Sequence, residues 1–232
     1  MNIADSLEDN GLPVLEIGPG TGALTQHLHH RFQERLSVCE IDERSIAFLH
    51  RTYPNLTIYD ADFLQFNIPK HFPNGVNIIG NYPYNISSQI VFKVLENRSH
   101  VPQCCGMFQK EVAERICANP GQKQYGQLTV LRALDYTAEY LFTVQKDAFD
   151  PPPKVQSGVI CLRSKSKSEI DENKKQFIQF VKQAFSQRRK KLRNSVKMYF
   201  STEELQAEIF DLRPEQLSLS QFLDLFHSIA QE

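Results

Sequence analysis

The chain has 232 residues, 41% of them hydrophobic, and a formal net charge of −1. That length admits one large domain or a large and a small one, and the apolar content suffices to bury a core. No apolar run approaches the roughly 18 residues of a membrane span, and the polar, acidic start MNIADSLEDNG does not read as a secretory leader.

The expected elements alternate along the first two-thirds of the chain. PVLEIG (13–18) is a buried-strand run that ends in Gly. TGALTQHLHHRF (21–32) has helical spacing at Ala23, Leu24, Leu28 and Phe32. LSVCEID (36–42) reads as strand and ERSIAFLHRTY (43–53) as helix. LTIYDADF (56–63) and GVNIIGN (75–81) are the third and fourth strands. SQIVFKVLEN (88–97) is helical, QCCGMFQ (103–109) a strand and KEVAERICA (110–118) a helix. A helix near 126–135 precedes strand-rich AEYLFTV (138–144) and QSGVICLR (156–163). Strands alternating with helices predict a mostly parallel sheet, with an antiparallel pair at its edge. Polar SKSKSEIDENKK (164–175) reads as a linker. Beyond it, Phe177, Phe180, Val181, Ala184 and Phe185 recur at helical spacing, and SVKMYF, TEELQAEIF and LSLSQFLDLFHSIA read as further helices. Ser201 and Glu204 fit a capping box. The expectation is an α/β domain over 1–165 with a small all-helical domain over 166–232.

The five cysteines, Cys39, Cys104, Cys105, Cys117 and Cys161, are odd in number and lack metal-ligand spacing. They are expected to be reduced thiols of a cytoplasmic protein, used as small apolar residues, with no metal site. Cys104 and Cys105, adjacent on a strand, should face opposite ways.

Gly18, Gly20 and Gly22 lie between the first strand and the first helix. Glycines there permit a sharp turn and close approach of a ligand, and the helix N-terminus offers unpaired N–H groups. The spacing G-x-G-x-G differs from the G-x-G-x-x-G dinucleotide pattern. Glu16 precedes the turn. Glu40 ends the second strand, where an acid can accept from ribose hydroxyls. Asp60 and Asp62 end the third. The ordered set resembles the S-adenosylmethionine-dependent methyltransferases. That resemblance implies that Glu16 and the glycines face the methionine part of the donor. It implies Glu40 on the ribose, Ile41 against the adenine, and Asp62, with Phe63 beside it, at the adenine amine.

Asn81, Tyr82, Pro83 and Tyr84 close the fourth strand, at the edge where open α/β sheets bind ligands. An exocyclic adenine amine is a poor nucleophile because its lone pair is delocalised into the ring. The Asn81 side-chain carbonyl and a nearby backbone carbonyl can grip its N–H groups, Pro83 fixes the turn and Tyr84 can stack on a base. The segment resembles the N-[LIF]-P-Y motif of adenine-N6 methyltransferases and departs from it at Tyr82, which is assigned packing only. AFDPPPKVQSGVI (148–160) puts Phe149 before a stiff proline run and resembles the F-x-P-x-P-K-V segment of ribosomal RNA adenine dimethyltransferases. The resemblance implies that Phe149 covers the other face of the base.

Arg188, Arg189, Lys190, Lys191 and Arg193 crowd six residues, expected on a helix. From Lys174 to Lys197 there are nine Lys or Arg and no acid, so the weak overall charge hides a basic region suited to phosphate. Such contacts position RNA without reading its sequence.

LEIGPGTGALT, GNYPYNISSQIVFK, FQKEVAERI, YGQLTVL, FDPPPKVQSGVI and AFSQRRKKLRNS together are similar to the ribosomal RNA adenine N6-dimethyltransferase family, at its bacterial small-subunit branch, over nearly the whole chain. The resemblance implies dimethylation of two adjacent adenosines in the 3′-terminal hairpin of 16S ribosomal RNA, with S-adenosylmethionine as donor and the immature small subunit as partner. A monomer is expected, without a membrane partner. The related 23S RNA methylases of macrolide resistance and a non-catalytic assembly factor are the alternatives. The family usually begins with a basic segment carrying Gln-x-Phe-Leu that closes over the donor, and this sequence starts after that segment.

Overall fold

A computed structural model describes residues 3–149, 153–170 and 172–229. The chain divides into two compact units, Met1–Ala113 with Thr137–Ser164, and Glu114–Tyr136 with Lys165–Glu232.

The first unit holds a seven-stranded sheet made of β1 (Val14–Ile17), β2 (Leu36–Glu40), β3 (Thr57–Asp60), β4 (Asn77–Asn81), β5 (Gln103–Gln109), β6 (Tyr136–Val144) and β7 (Ser157–Ser164). Their order is β3-β2-β1-β4-β5-β7-β6. The strands from β3 to β5 are parallel to their neighbours, and β7 runs antiparallel to β5. Helices α1 (Thr25–Phe32), α2 (Glu43–Thr52), α3 (Ile68–His71) and α4 (Ser87–Glu96) connect the parallel strands, and α5 (Lys110–Cys117) follows β5. Every residue of β1 and β2 is buried. Strands covered on both faces favour apolar residues at successive positions, which explains why they read without strict alternation in the sequence, with Glu16, Ser37 and Glu40 as buried polar exceptions.

Helix α1 buries Leu28 and Phe32, and α2 buries Leu49; these side chains join Val14, Leu36 and Val38 in one core cluster. Full burial of a leucine-sized side chain stabilises by about 1.5–3 kcal/mol. Asp42 caps α2 by accepting from Ser45 N at 2.8 Å, and its bonds to Ser45 hold its carboxyl below the usual carboxylate range. The strand order reverses between β1 and β4, so the crevice beyond their carboxyl ends is where this topology binds ligands.

In the second unit α6 (Gln127–Asp135), α7 (Lys174–Ala184), α8 (Leu192–Val196) and α9 (Leu219–Ile229) are helical. Phe177, Phe180, Phe222 and Phe226 form its aromatic core, with the Phe177 and Phe226 rings edge to face at 5.4 Å. Residues 114–136 belong with this unit, although the sequence groups them with the strands before them. The reason is a long-range tie: the buried Asp135 carboxylate accepts from Lys174 Nζ at 2.5 Å and from Ser168 Oγ at 2.7 Å.

Two expected C-terminal helices are shorter than the sequence suggests. Only Ser195 and Val196 of SVKMYF are helical, and TEELQAEIF forms two 3-10 turns, Glu204–Gln206 and Glu208–Asp211. The expected capping box is present, with Glu204 N on Ser201 Oγ and Ser201 N on Glu204 Oε2. It opens a single turn because Ala207 already adopts extended backbone.

The cysteines also depart from expectation. The β5–β7 register sets Cys105 opposite Cys161 with Cα atoms 4.1 Å apart, and the two form a disulfide. Their separation of 56 residues hides that pairing from the sequence. Cys39, Cys104 and Cys117 take no part in a disulfide. Burial pushes the Cys39 and Cys104 thiols up to about 12, so they stay protonated and behave as apolar groups.

Candidate active site

The turn after β1 is built on three positive-φ glycines, Gly18 at 63°, Gly20 at 55° and Gly22 at 83°. They do different work. A Cβ on Gly22 would meet Leu49 at 3.3 Å and Tyr53 at 3.4 Å, so that glycine lets α2 pack close. A Cβ on Gly20 would meet nothing within 4 Å, which leaves the backbone open to a ligand. Gly18 lies against Pro83, whose ring carbons are 3.7 Å from where its Cβ would be. The glycine turn and the Asn-Tyr-Pro-Tyr segment, more than sixty positions apart in the chain, are therefore neighbours.

Glu40 at the end of β2 ties this turn to the next. Its carboxylate accepts from Gly20 N at 3.0 Å, Ile41 N at 2.8 Å and Asp42 N at 3.0 Å. A carboxylate offers about four acceptor positions, so one is left for a hydroxyl. Ile41 beside it is 65% exposed, an aliphatic face that no core contact explains. Glu40 pairs in register with Asp60. Asp62 is half-buried and accepts from Leu64 N at 2.8 Å. Phe63 is buried, with the Lys93 ammonium 5.7 Å from its ring centroid, so its side chain belongs to the core and offers little surface to a ligand.

Glu16 is 1% exposed and accepts from Thr25 Oγ1 at 2.7 Å. Burial pushes its carboxyl from 4.5 up to about 7; the Thr25 bond opposes that rise and the Glu40 charge adds to it. A carboxylate held at that balance favours a cationic ligand, because a positive charge beside it recovers part of the lost solvation.

Asn81 ends β4 with its side chain exposed, in register with Met107 of β5. The residue after it is fully anchored. Tyr82 is 1% exposed, its N–H donates to Met107 O at 3.1 Å, and its hydroxyl donates to Cys105 O at 2.8 Å. Its ring covers the paired glycines Gly80 and Gly106, where added Cβ atoms would come within 2.9 Å and 2.6 Å of it. The departure from the usual motif thus has a packing answer: a phenol fills the hollow left by two facing glycines.

A cavity of about 500 Å³ opens at this sheet edge, lined by Glu16, Gly18, Asn81 and Phe149 among the expected residues. Ile3, Pro19, His27, Met107, Phe142 and Val144 also line it and were not anticipated. Met107 enters through its register with Asn81, and Phe142 and Val144 through the end of β6, placements that the sequence does not write locally. Tyr84 is half-buried outside that lining, with its hydroxyl 2.7 Å from Ser157 Oγ. Asp150, Pro151 and Pro152, most of the stiff loop expected after Phe149, lie outside the described residues.

Most of the basic run is not helical; only Arg193 lies in α8. Arg188–Lys191 form the turn between a 3-10 segment, Phe185–Gln187, and α8. Nor is it uncompensated: Lys191 and Arg193 both pair with Asp211, at 2.6 Å and 2.7 Å, and hold that carboxyl below the usual range. The acid is supplied from about twenty positions further on, outside the window that the sequence pattern spans. Arg188 donates to Lys123 O and, at 2.9 Å, to Tyr125 O. Arg189 and Lys190 are exposed, and neither side chain makes an ion pair among the described residues.

Comparison with known proteins gives this geometry a family. The model of the ribosomal RNA adenine dimethylases matches residues 2–231. The chain belongs to the ribosomal RNA adenine dimethylase family. Among its curated relatives, proteins named ribosomal RNA small subunit methyltransferase A from Parabacteroides distasonis and Flavobacterium johnsoniae are each 49% identical, over 96% and 98% of this chain and 85% and 88% of their own length. Among solved structures, a dimethyladenosine transferase from Plasmodium falciparum aligns with a TM-score of 0.80 at 27% identity, over 99% of this chain and 94% of the other. The 23S rRNA methyltransferase ErmE aligns at 0.75, also with 27% identity, over 99% and 96%. As a ribosomal RNA adenine dimethylase the protein is an S-adenosylmethionine-dependent enzyme of α/β methyltransferase fold. The residues present suit that donor: an open Gly20, a spare acceptor on Glu40, an exposed Ile41 and a buried acid for the cationic end.

Proposed function

We propose that this protein dimethylates the N6 amines of two adjacent adenosines in the 3′-terminal hairpin of 16S ribosomal RNA during assembly of the small subunit. The observation that carries the reading is the cavity shared by Glu16 and Gly18 on one side and Asn81 and Phe149 on the other. It supports the reading because the residues assigned here to the donor and to the base line one cavity at one sheet edge. The names of the relatives, small subunit methyltransferases at 46–49% identity, favour this target over the 23S RNA of the more distant ErmE.

S-adenosylmethionine supplies a methyl group already activated by sulfonium charge, so a strong base is not required. Asn81 Oδ1 and a main-chain carbonyl of the same turn accept the two N–H groups of the adenine amine and aim its lone pair. Pro83 holds that turn against Gly18, and positioning of this kind can supply several kcal/mol of the barrier. Tyr84 and Phe149 stack on the base, and Asp62 receives the adenine amine of the donor. Arg188, Arg189, Lys190, Lys191 and Arg193 meet RNA phosphates, with Arg189 and Lys190 contributing most because Asp211 already occupies two of the others. The protein acts in the cytoplasm as a monomer.

The test is transfer of labelled methyl groups to small subunits from cells lacking this protein, followed by mapping of the modified adenines. Wild type should methylate two neighbouring adenosines near the 3′ end. Asn81→Ala should lower kcat by about 100-fold or more, the scale of losing one positioned polar group in a catalytic site. Equal transfer by both proteins would refute the role of Asn81. Methylation of 23S RNA with macrolide resistance on expression would favour the other branch of the family.

A further inference from the structure

Tyr84 is fixed at both ends. Its carbonyl accepts from Ser87 Oγ at 3.1 Å, in the first turn of α4. Its phenol lies 2.7 Å from Ser157 Oγ, across 73 positions of sequence. Ser157 is fully buried, at 0% exposure, and opens β7 directly after the loop that carries Phe149. Its main chain is in register with Gln109 of β5, so the serine is itself held by the sheet. A buried hydroxyl with one side-chain partner is costly to leave unpaired. The bond therefore joins the turn after β4 to the strand that follows the Phe149 loop.

We propose that Ser157 is a positioning residue for methyl transfer: its hydroxyl holds the Tyr84 ring at the angle and depth at which Tyr84 receives the target base, and couples that ring to the segment bearing Phe149. The inference rests on the stacking role given to Tyr84 above. Ser157 lies within the FDPPPKVQSGVI segment, but nothing in that segment names its partner, which is set by the antiparallel docking of β7 on β5. The tether acts on orientation of the bound base and not on donor capture, since neither hydroxyl lines the cavity that holds Glu16 and Gly18.

A double-mutant cycle on the full chain tests this. Ser157→Ala and Tyr84→Phe each remove one hydroxyl and keep the ring. Each should lower kcat on undermethylated small subunits by about tenfold, with KM for S-adenosylmethionine unchanged, and the double variant should be no slower than either single one. Ser157→Thr, which keeps the hydroxyl, should recover most of the rate. Thermal melts identify any variant that fails to fold; the rates are compared at temperatures well below every midpoint. Losses that multiply in the double variant would overturn the tether, as would wild-type kcat in Ser157→Ala. Tyr84→Ala separates stacking from tethering. If it is as active as wild type, the stacking role fails; if it is far slower than Tyr84→Phe while the hydroxyl losses are additive, stacking stands and the tether falls.

Discussion

Glu16 lends itself to a measurement that needs no substrate. It is an acid at the inner wall of the proposed donor site, 1% exposed, with its carboxyl raised from 4.5 to about 7 by burial. A raised acid in the folded state holds its proton more tightly than the unfolded chain does. The folded state is therefore favoured most below about pH 4.5, and this contribution is lost as pH rises to about 7. The displacement from 4.5 to about 7 corresponds to about 3 kcal/mol at alkaline pH.

Glu16→Gln removes the charge and keeps an oxygen to accept from Thr25 Oγ1. Unfolding in denaturant, repeated over a series of pH values, should show wild type losing about 3 kcal/mol relative to the variant between acid and alkaline conditions. Glu40, whose charge adds to the rise, and His27, which lines the same cavity, are present in both proteins. A difference that stays flat across this range would refute the account of Glu16. Calorimetric binding adds a second reading. Affinity of wild type for S-adenosylmethionine should increase as pH passes through about 7, while the variant binds weakly at all pH values.

Three further outcomes follow from the packing and the charges. Gly106→Ala places a Cβ 2.3 Å from Gly80 O and 2.6 Å from the Tyr82 ring; it should cost about 3 kcal/mol by denaturant midpoint, as overpacking against backbone does, and a neutral result would show that the glycine pair is not tight. Tyr82→Phe loses the bond to Cys105 O and should cost about 1 kcal/mol, whereas Tyr82→Ala should cost about 3–5 kcal/mol through the cavity it leaves. Replacing Arg189 and Lys190 by Ala should reduce the slope of log affinity against log salt for small-subunit RNA by about 0.7 for each phosphate no longer neutralised, with little change in melting temperature. An unchanged slope would exclude that turn from the RNA-binding surface.

The parts of this fold that were legible in the sequence are those written locally. The parallel strands are buried on both faces, so β1, β2 and β5 appear as short, mostly apolar runs without strict alternation, and each helix between them carries its own period. Ser201 announces a turn start within three residues, whereas Asp42, which caps α2, reads in the sequence as the end of a strand. The glycine turn and Asn81 were visible because a strand end followed by residues of special backbone or hydrogen-bonding character is itself a local pattern. What the sequence hid lies in pairings across the chain. Cys105 and Cys161 meet only because β7 inserts antiparallel beside β5, and residues 114–136 join the helical unit through Asp135 and Lys174. The basic run looked unopposed because Asp211 is far from it in sequence.

Tyr82 shows how these two kinds of information combine. Its letter alone marks a deviation from a motif, and Gly80 two positions before it reads as an ordinary weakness in a strand. Only the register, which sets Gly80 opposite Gly106, shows that two missing side chains leave a hollow of aromatic size. Tyr82 fills it, and its N–H and hydroxyl bonds to Met107 and Cys105 on the neighbouring strand fix the main chain next to Asn81. The amide proposed to hold the base needs a backbone that does not move, and the adjacent residue ties that backbone to the core. The three residues Gly80, Tyr82 and Gly106 therefore form one packed unit directly beside Asn81.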